Sequence, residues 1–198
     1  MTILDKTDNG NVRAKLDLRR YFLNKYHLGS SLRVLDCCQG AGVLWKELRE
    51  EYRPDSYVGL DIKPGVGRLK IDSAKFLKAG GWDFNCIDID TYGRPWKHWF
   101  AVLEHIRESC TVFMTAGLLK GLMSSMTNKE MEVIGLTCPT ILSRKIPTIT
   151  RNLGPLVDHS CLALAAEKGC RIQECLEAEH TRATVRYFGI RLEVIGCH

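Results

Sequence analysis

Apolar positions along the chain change period several times, and the changes predict its elements. After Asn11, the residues Val12, Leu16, Leu23 and Tyr26 recur at helical spacing, which predicts an amphipathic helix over 11–27 ending at Gly29. From Leu32 onward short apolar runs alternate with helical patterns. Strands are expected at 32–36, 57–61, 68–71, 84–89 and 110–115, and helices near 41–52, 73–79 and 95–108. Each parallel crossover needs a helix to cover the sheet, so the alternation predicts an α/β domain with helices on both faces. The tail differs: 155–168 reads as a helix, 171–177 as a strand and 183–195 as a further strand. The short connection at 178–182 suits a hairpin, so the last strand is expected to run antiparallel to its neighbour. Residues 119–154 hold Met123, Met126, Met131, two prolines and scattered Lys and Arg without a clean period, and are read as a substrate-side insertion. The expected organisation is an N-terminal helical extension, 1–29, and one main domain, 30–198.

Composition changes this picture little. A chain of 198 residues with 45% hydrophobic content is sized for one domain with its own core. Lys and Arg number 28 against 23 acids, a net charge of +5, which suits a polyanionic partner but is common in proteins that have none. Arg13, Lys15, Arg19 and Arg20 accompany the first helix and are read as a solvated face ahead of a phosphate-binding one. The nine cysteines are an odd count, mostly inside apolar segments and without a CxxC pair. They are read as free thiols of a reducing cytosol, with no metal site. No run approaches the roughly 18–20 apolar residues of a membrane span, and the N-terminus carries charge where a signal sequence would be apolar. The expected location is the cytoplasm.

Candidate chemistry begins at "LRVLDCCQGAGVLWKEL", residues 32–48: a buried strand running into Asp36, a turn with Gly40 and Gly42, then a helix. Small residues there let the backbone approach a ligand closely, and a nucleotide-like ligand is the natural occupant. The second strand, in "SYVGLDIKPG", ends on Asp61, which follows Asp36 near the roughly 20-residue spacing at which an acid meets ribose hydroxyls. "LKIDSAKF" puts Asp72 and Ser73 at a third strand end, where a carboxylate or backbone meets an adenine edge. In "FNCIDIDTYGRPWKHWF" a fourth strand ends on Asp88 and Asp90, which point to one side. Pro95 opens a helix whose Trp96, Trp99, Phe100, Leu103 and Ile106 form an apolar face.

This order of motifs resembles the class I S-adenosylmethionine-dependent methyltransferases over about residues 30–198. The resemblance implies a Rossmann-like sheet of seven strands, mostly parallel with an antiparallel last strand, and S-adenosylmethionine lying across the carboxyl ends of its first strands. It implies cofactor contacts at Asp36, Cys38, Gly40, Gly42, Asp61, Ile62, Asp72, Ser73 and Asp88. Cys38 stands where the family usually has glycine. "DIDTYG", residues 88–93, is similar to the "DPYG" form of tRNA guanine-N2 methyltransferases and dimethyltransferases, with Thr91 in place of proline.

That second resemblance implies a catalytic Asp90 and a base-stacking Tyr92, with Thr91, Gly93, Arg94 and Lys97 toward the substrate. An exocyclic base amine is a poor nucleophile because its lone pair is delocalised; an acceptor on its N–H localises density and can take the proton. A duplex base must leave its stack to reach such a pocket. Arg94, Lys97, Arg144, Lys145 and Arg151 are candidates for its phosphates. The expected substrate is a nucleobase amine, in RNA ahead of DNA. Methylation of a small molecule or protein side chain, and a non-catalytic binding module of the same fold, are the alternatives.

Overall fold

The computed structural model describes residues 11–65, 69–91, 95–117, 165–178 and 185–195. Its elements are α1 (Val12–Tyr26), β1 (Arg33–Asp36), α2 (Val43–Tyr52), β2 (Ser56–Asp61), β3 (Leu69–Lys70), α3 (Ser73–Ala79), β4 (Cys86–Ile89), α4 (Trp96–His105), β5 (Cys110–Gly117), β6 (Cys170–Glu177) and β7 (Val185–Val194). They follow the periodicities closely. The third strand shrinks to two residues at the sheet edge, and the fourth helix stops at His105 because Ile106 turns extended, ψ 133°. The insertion 119–154, most of the helix expected at 155–168, and Tyr92, Gly93, Arg94, Arg144, Lys145 and Arg151 lie outside the described residues.

The sheet has seven strands in the order β3-β2-β1-β4-β5-β7-β6. β1 to β5 pair in parallel, whereas β7 runs antiparallel to both of its neighbours, β5 and β6. From β1 the chain winds one way to β2 and β3, then returns on the other side at β4. The winding therefore reverses between β1 and β4, and open α/β sheets take their ligands at the carboxyl ends beside that reversal.

Alternation along each strand feeds two cores. Leu35, Ile87, Val112 and Ile190 face one side with Leu77, Trp99 and Val102. Val34, Cys86, Phe113 and Tyr187 face the other with Phe22 and Leu23 of α1 and Trp45 and Leu48 of α2. By the same alternation, Asp36, Asp88 and Asp90 lie on the α1/α2 side.

Helix α1 packs on this side against α2, β5 and β7. Phe22 and Leu23 are fully buried, each contributing about 1.5–3 kcal/mol of apolar burial. Phe22 meets Phe113 edge-on, with centroids 5.9 Å apart, and comes so near β7 that a Cβ at Gly189 would fall 2.4 Å from its ring. Arg20 ties α1 to α2 through Glu47 and Glu51. Among the described residues, no helix is long and apolar enough to cross a membrane, and Cys37, Cys38, Cys86 and Cys110 are free thiols.

Candidate active site

Beyond β1 the chain is stitched first to β4 and then to β2: the Cys37 amide donates to Asp88 O at 2.9 Å, and the Gln39 amide to Leu60 O at 3.0 Å. This lays residues 37–42 over the strand ends. The turn closes with the Gly42 amide donating to Gln39 O at 2.8 Å, and Gly40 and Gly42 take φ +54° and +69°, which side-chain-bearing residues rarely adopt. Cys38 is not among the positive-φ residues, so the position does not need a glycine conformation. Its half-buried thiol rests 3.9 Å from Ser73 Oγ, and burial pushes it up to about 12, leaving a neutral thiol.

Asp61 ends β2 and holds that loop. Its Oδ2 accepts from the Gly40 amide at 3.0 Å and its Oδ1 from the Lys63 amide at 2.8 Å. Ile62, the next residue, leaves 68% of its surface exposed beside this carboxylate. Asp72 caps α3, its Oδ1 accepting from the Ala74 and Lys75 amides at 3.0 and 3.2 Å. Ser73 is buried and shares a 2.8 Å hydrogen bond with His98 Nε2. Burial lowers His98 to about 4, so its ring is neutral, and its buried Nδ1 has no partner among the described residues.

The three acids on the α1/α2 side have distinct environments. Asp36 and Asp88 are direct neighbours across the β1/β4 ladder. Tyr57 donates to Asp36 Oδ2 at 2.9 Å, yet burial and then the Asp88 charge push the Asp36 carboxyl well above the ordinary range. Asp88, 1% exposed, is held by three donors of the protein itself. Its Oδ1 accepts from Arg19 Nη2, and its Oδ2 from Arg19 Nε and Trp45 Nε1, all at 2.7 Å. The carboxylate expected to face the cofactor is therefore committed to anchoring α1 and α2.

Asp90 follows β4. Lys15 Nζ donates to its Oδ1 and Oδ2 at 2.8 and 2.7 Å, and Thr115 Oγ1 to Oδ1 at 2.6 Å. Burial alone would raise this carboxyl, but the Lys15 and then the Arg19 charges outweigh it and hold Asp90 below the usual carboxylate range. Thr91 is buried and its hydroxyl has no partner among the described residues, and Lys97 is exposed on α4.

Of the four basic residues read as a solvated face, Arg13 is exposed and Arg20 bridges to α2, whereas Lys15 and Arg19 turn inward. Lys15 and Arg19 are four apart, on one helix face with the buried Phe22 and Leu23, and charged groups on an apolar face require buried counter-charges. That was the available signal for both. Trp45, Tyr57, His98 and Thr115 carry no comparable mark.

No family model matches the chain, and no curated protein matches it by sequence. Solved structures do match. Trm1 of Pyrococcus horikoshii in complex with S-adenosyl-L-methionine aligns over 92% of this chain with a TM-score of 0.61 and 15% identity. This chain covers only 56% of that one. TYW2 of M. jannaschii in complex with AdoMet aligns with a TM-score of 0.52 and 9% identity, over 92% of this chain and 77% of its own. The magnesium protoporphyrin IX methyltransferase of Synechocystis PCC 6803 with bound SAH aligns with a TM-score of 0.52 and 12% identity, over 92% and 83%. The chain has the fold of the class I S-adenosylmethionine-dependent methyltransferases, with β7 as the antiparallel strand.

Proposed function

We propose that this chain is an S-adenosylmethionine-dependent methyltransferase acting on an exocyclic amino group of a nucleobase, in RNA ahead of DNA. The observation that carries the reading is Asp90: an anionic acceptor at the carboxyl end of β4, beside the winding reversal, at the head of the Thr91-Tyr92-Gly93 segment.

The residues present fit the cofactor. Asp61 offers carboxylate oxygens to a ribose diol while anchoring the glycine turn, and the exposed Ile62 offers an apolar face to adenine. Asp72 and Ser73 stand at the third strand end for the adenine edge, with Asp36, Cys38, Gly40 and Gly42 forming the floor. Asp88 serves from behind, fixing β4 against α1 and α2. When bound, S-adenosylmethionine supplies a methyl group activated by its sulfonium.

Asp90 accepts a hydrogen bond from the substrate N–H, which localises the nitrogen lone pair. As the nitrogen–carbon bond forms and the carbon–sulfur bond breaks, the surplus proton leaves nitrogen for Asp90 or for water through it. A low carboxyl pKa is no obstacle, because a protonated, methylated base amine is a far stronger acid than a carboxylic acid. Holding nitrogen, carbon and sulfur in line supplies much of the rate, and Tyr92 is assigned to stack on the base for that purpose. Thr91, Gly93, Arg94 and Lys97 complete the substrate side.

Labelled cofactor offered with tRNA, total RNA and DNA tests this, with Asp90→Ala as the control. Transfer to RNA that disappears in the variant is expected; intact cofactor binding with no transfer to any nucleic acid would end the nucleobase reading. A porphyrin methyltransferase among similar structures favours a small-molecule acceptor as the second reading. In that case retention on nucleic acid would be absent at low salt, where phosphate contacts are strongest. A chain that binds no S-adenosylmethionine in calorimetry would instead be a binding module.

A further inference from the structure

Lys15 reaches from α1 to the strand end that bears Asp90, and does so in a defined geometry. Its Nζ lies 2.8 and 2.7 Å from Oδ1 and Oδ2 and 4.8 Å from the centroid of the Tyr187 ring. Thr115 Oγ1 adds a 2.6 Å bond to Oδ1. A carboxylate oxygen has two lone-pair positions. Among the described residues, Oδ1 is therefore filled, while Oδ2 keeps one position for an incoming donor.

We propose that Lys15 is a positioning residue of the transfer site: bridging both oxygens of Asp90, it fixes Oδ2 as the acceptor for the substrate amine, and its charge selects a neutral amine over a protonated one. This rests on the methyltransferase reading above and deepens it to a class of nucleophile.

The groups around Asp90 balance. Lys15 and Arg19 face it from α1, Asp36 and Cys38 from β1 and its loop, Asp88 from β4, Thr115 from β5, and Lys15 is backed by Tyr187 from β7. Two cations match the two anions Asp88 and Asp90, while burial drives Asp36 and Cys38 toward their neutral forms. Among the described residues around Asp90, no carboxylate is left uncompensated to welcome an ammonium. A lysine side chain or polyamine arrives protonated, is repelled by Lys15 and Arg19, and must shed a proton before it can attack. A base amine is already neutral and needs only the acceptor.

The test uses the full chain with Lys15→Met and Lys15→Arg, and with Lys15→Gln as a second uncharged variant should Lys15→Met not fold. A carbon-detected titration of the Asp90 carboxyl reads the clamp without any substrate. The uncharged variant is expected to raise its midpoint by about one unit or more, and Lys15→Arg to leave it nearly in place. With RNA as acceptor, the uncharged variant should lower kcat by about tenfold or more and move the acid limb of the pH–rate profile upward, with Lys15→Arg restoring most of both. With a lysine peptide in place of RNA, the wild type should transfer at least about a hundredfold more slowly.

An unmoved Asp90 titration in a folded uncharged variant overturns the clamp. Transfer to the lysine peptide at a rate comparable with RNA overturns the charge selection. If the wild type transfers to no acceptor, the enzyme reading fails and the positioning role with it, whereas the Asp90 titration still reports whether Lys15 holds the carboxylate.

Discussion

Arg19 and Asp88 form a two-pronged ion pair sealed from solvent, with Nε to Oδ2 and Nη2 to Oδ1 both at 2.7 Å and the side chains 2% and 1% exposed. The pair joins α1 to β4 directly beneath the candidate acceptor. Trp45 completes it from α2, so one carboxylate ties α1, α2 and β4 together. Removing one partner strands the other charge in the core. Arg19→Met is expected to cost about 3–5 kcal/mol in urea unfolding, and pairing it with Asp88→Leu to recover much of that loss. A single variant with wild-type stability would show that the pair is solvated.

Asp61 carries the loop and the proposed ribose contact together. Asp61→Ala should therefore weaken S-adenosylmethionine binding by at least about tenfold, since hydrogen bonds to a charged group contribute about 1.5–3 kcal/mol. Calorimetry measures it, and unchanged affinity would remove Asp61 from the cofactor site.

His27 and His98 are both buried and both lowered to about 4, His27 by burial and then by the Arg191 charge, His98 by burial. Unfolding exposes them to their ordinary value near 6.5. The unfolded chain then binds more protons than the folded one between about pH 6.5 and 4, so their contribution is complete above that window and lost as pH falls through it. Unfolding at pH 5 should take up protons at these two sites, and replacing both with Gln should flatten the fall in stability. A proton uptake that the double variant leaves unchanged would contradict this.

Gly189 admits Phe22 onto β7, with the ring 2.4 Å from where a Cβ would stand. The ring is fully buried and cannot swing aside, so Gly189→Val should cost about 1–3 kcal/mol of stability from overpacking. Thermal unfolding measures it, and Phe22→Leu in the same chain should return part of the loss.

Much of this molecule was legible before any coordinates. Strand and helix periods placed the described elements to within a few residues, because alternation at a period of two and recurrence near 3.6 are imposed locally by which face is buried. The shared side of Asp88 and Asp90 followed from the same rule. Cys38 is decided by the backbone alone: its position takes an ordinary φ while Gly40 and Gly42 do not.

What lay beyond the one-dimensional pattern is everything that depends on which element packs against which. Nothing within α1 names β4 as its neighbour, so the sequence reads Lys15 and Arg19 as part of a solvated face and Asp88 as a cofactor contact. The strand order that brings α1, α2 and β4 together is set by contacts between residues far apart in the chain. Parity put the acids on one side of a sheet, but only the helices packed on that side determined that Asp88 would be sealed from solvent between Arg19 and Trp45. The same packing clamps Asp90 with Lys15 yet leaves its side chain 23% exposed, because a buried charge must be compensated by whatever the fold brings within hydrogen-bond reach.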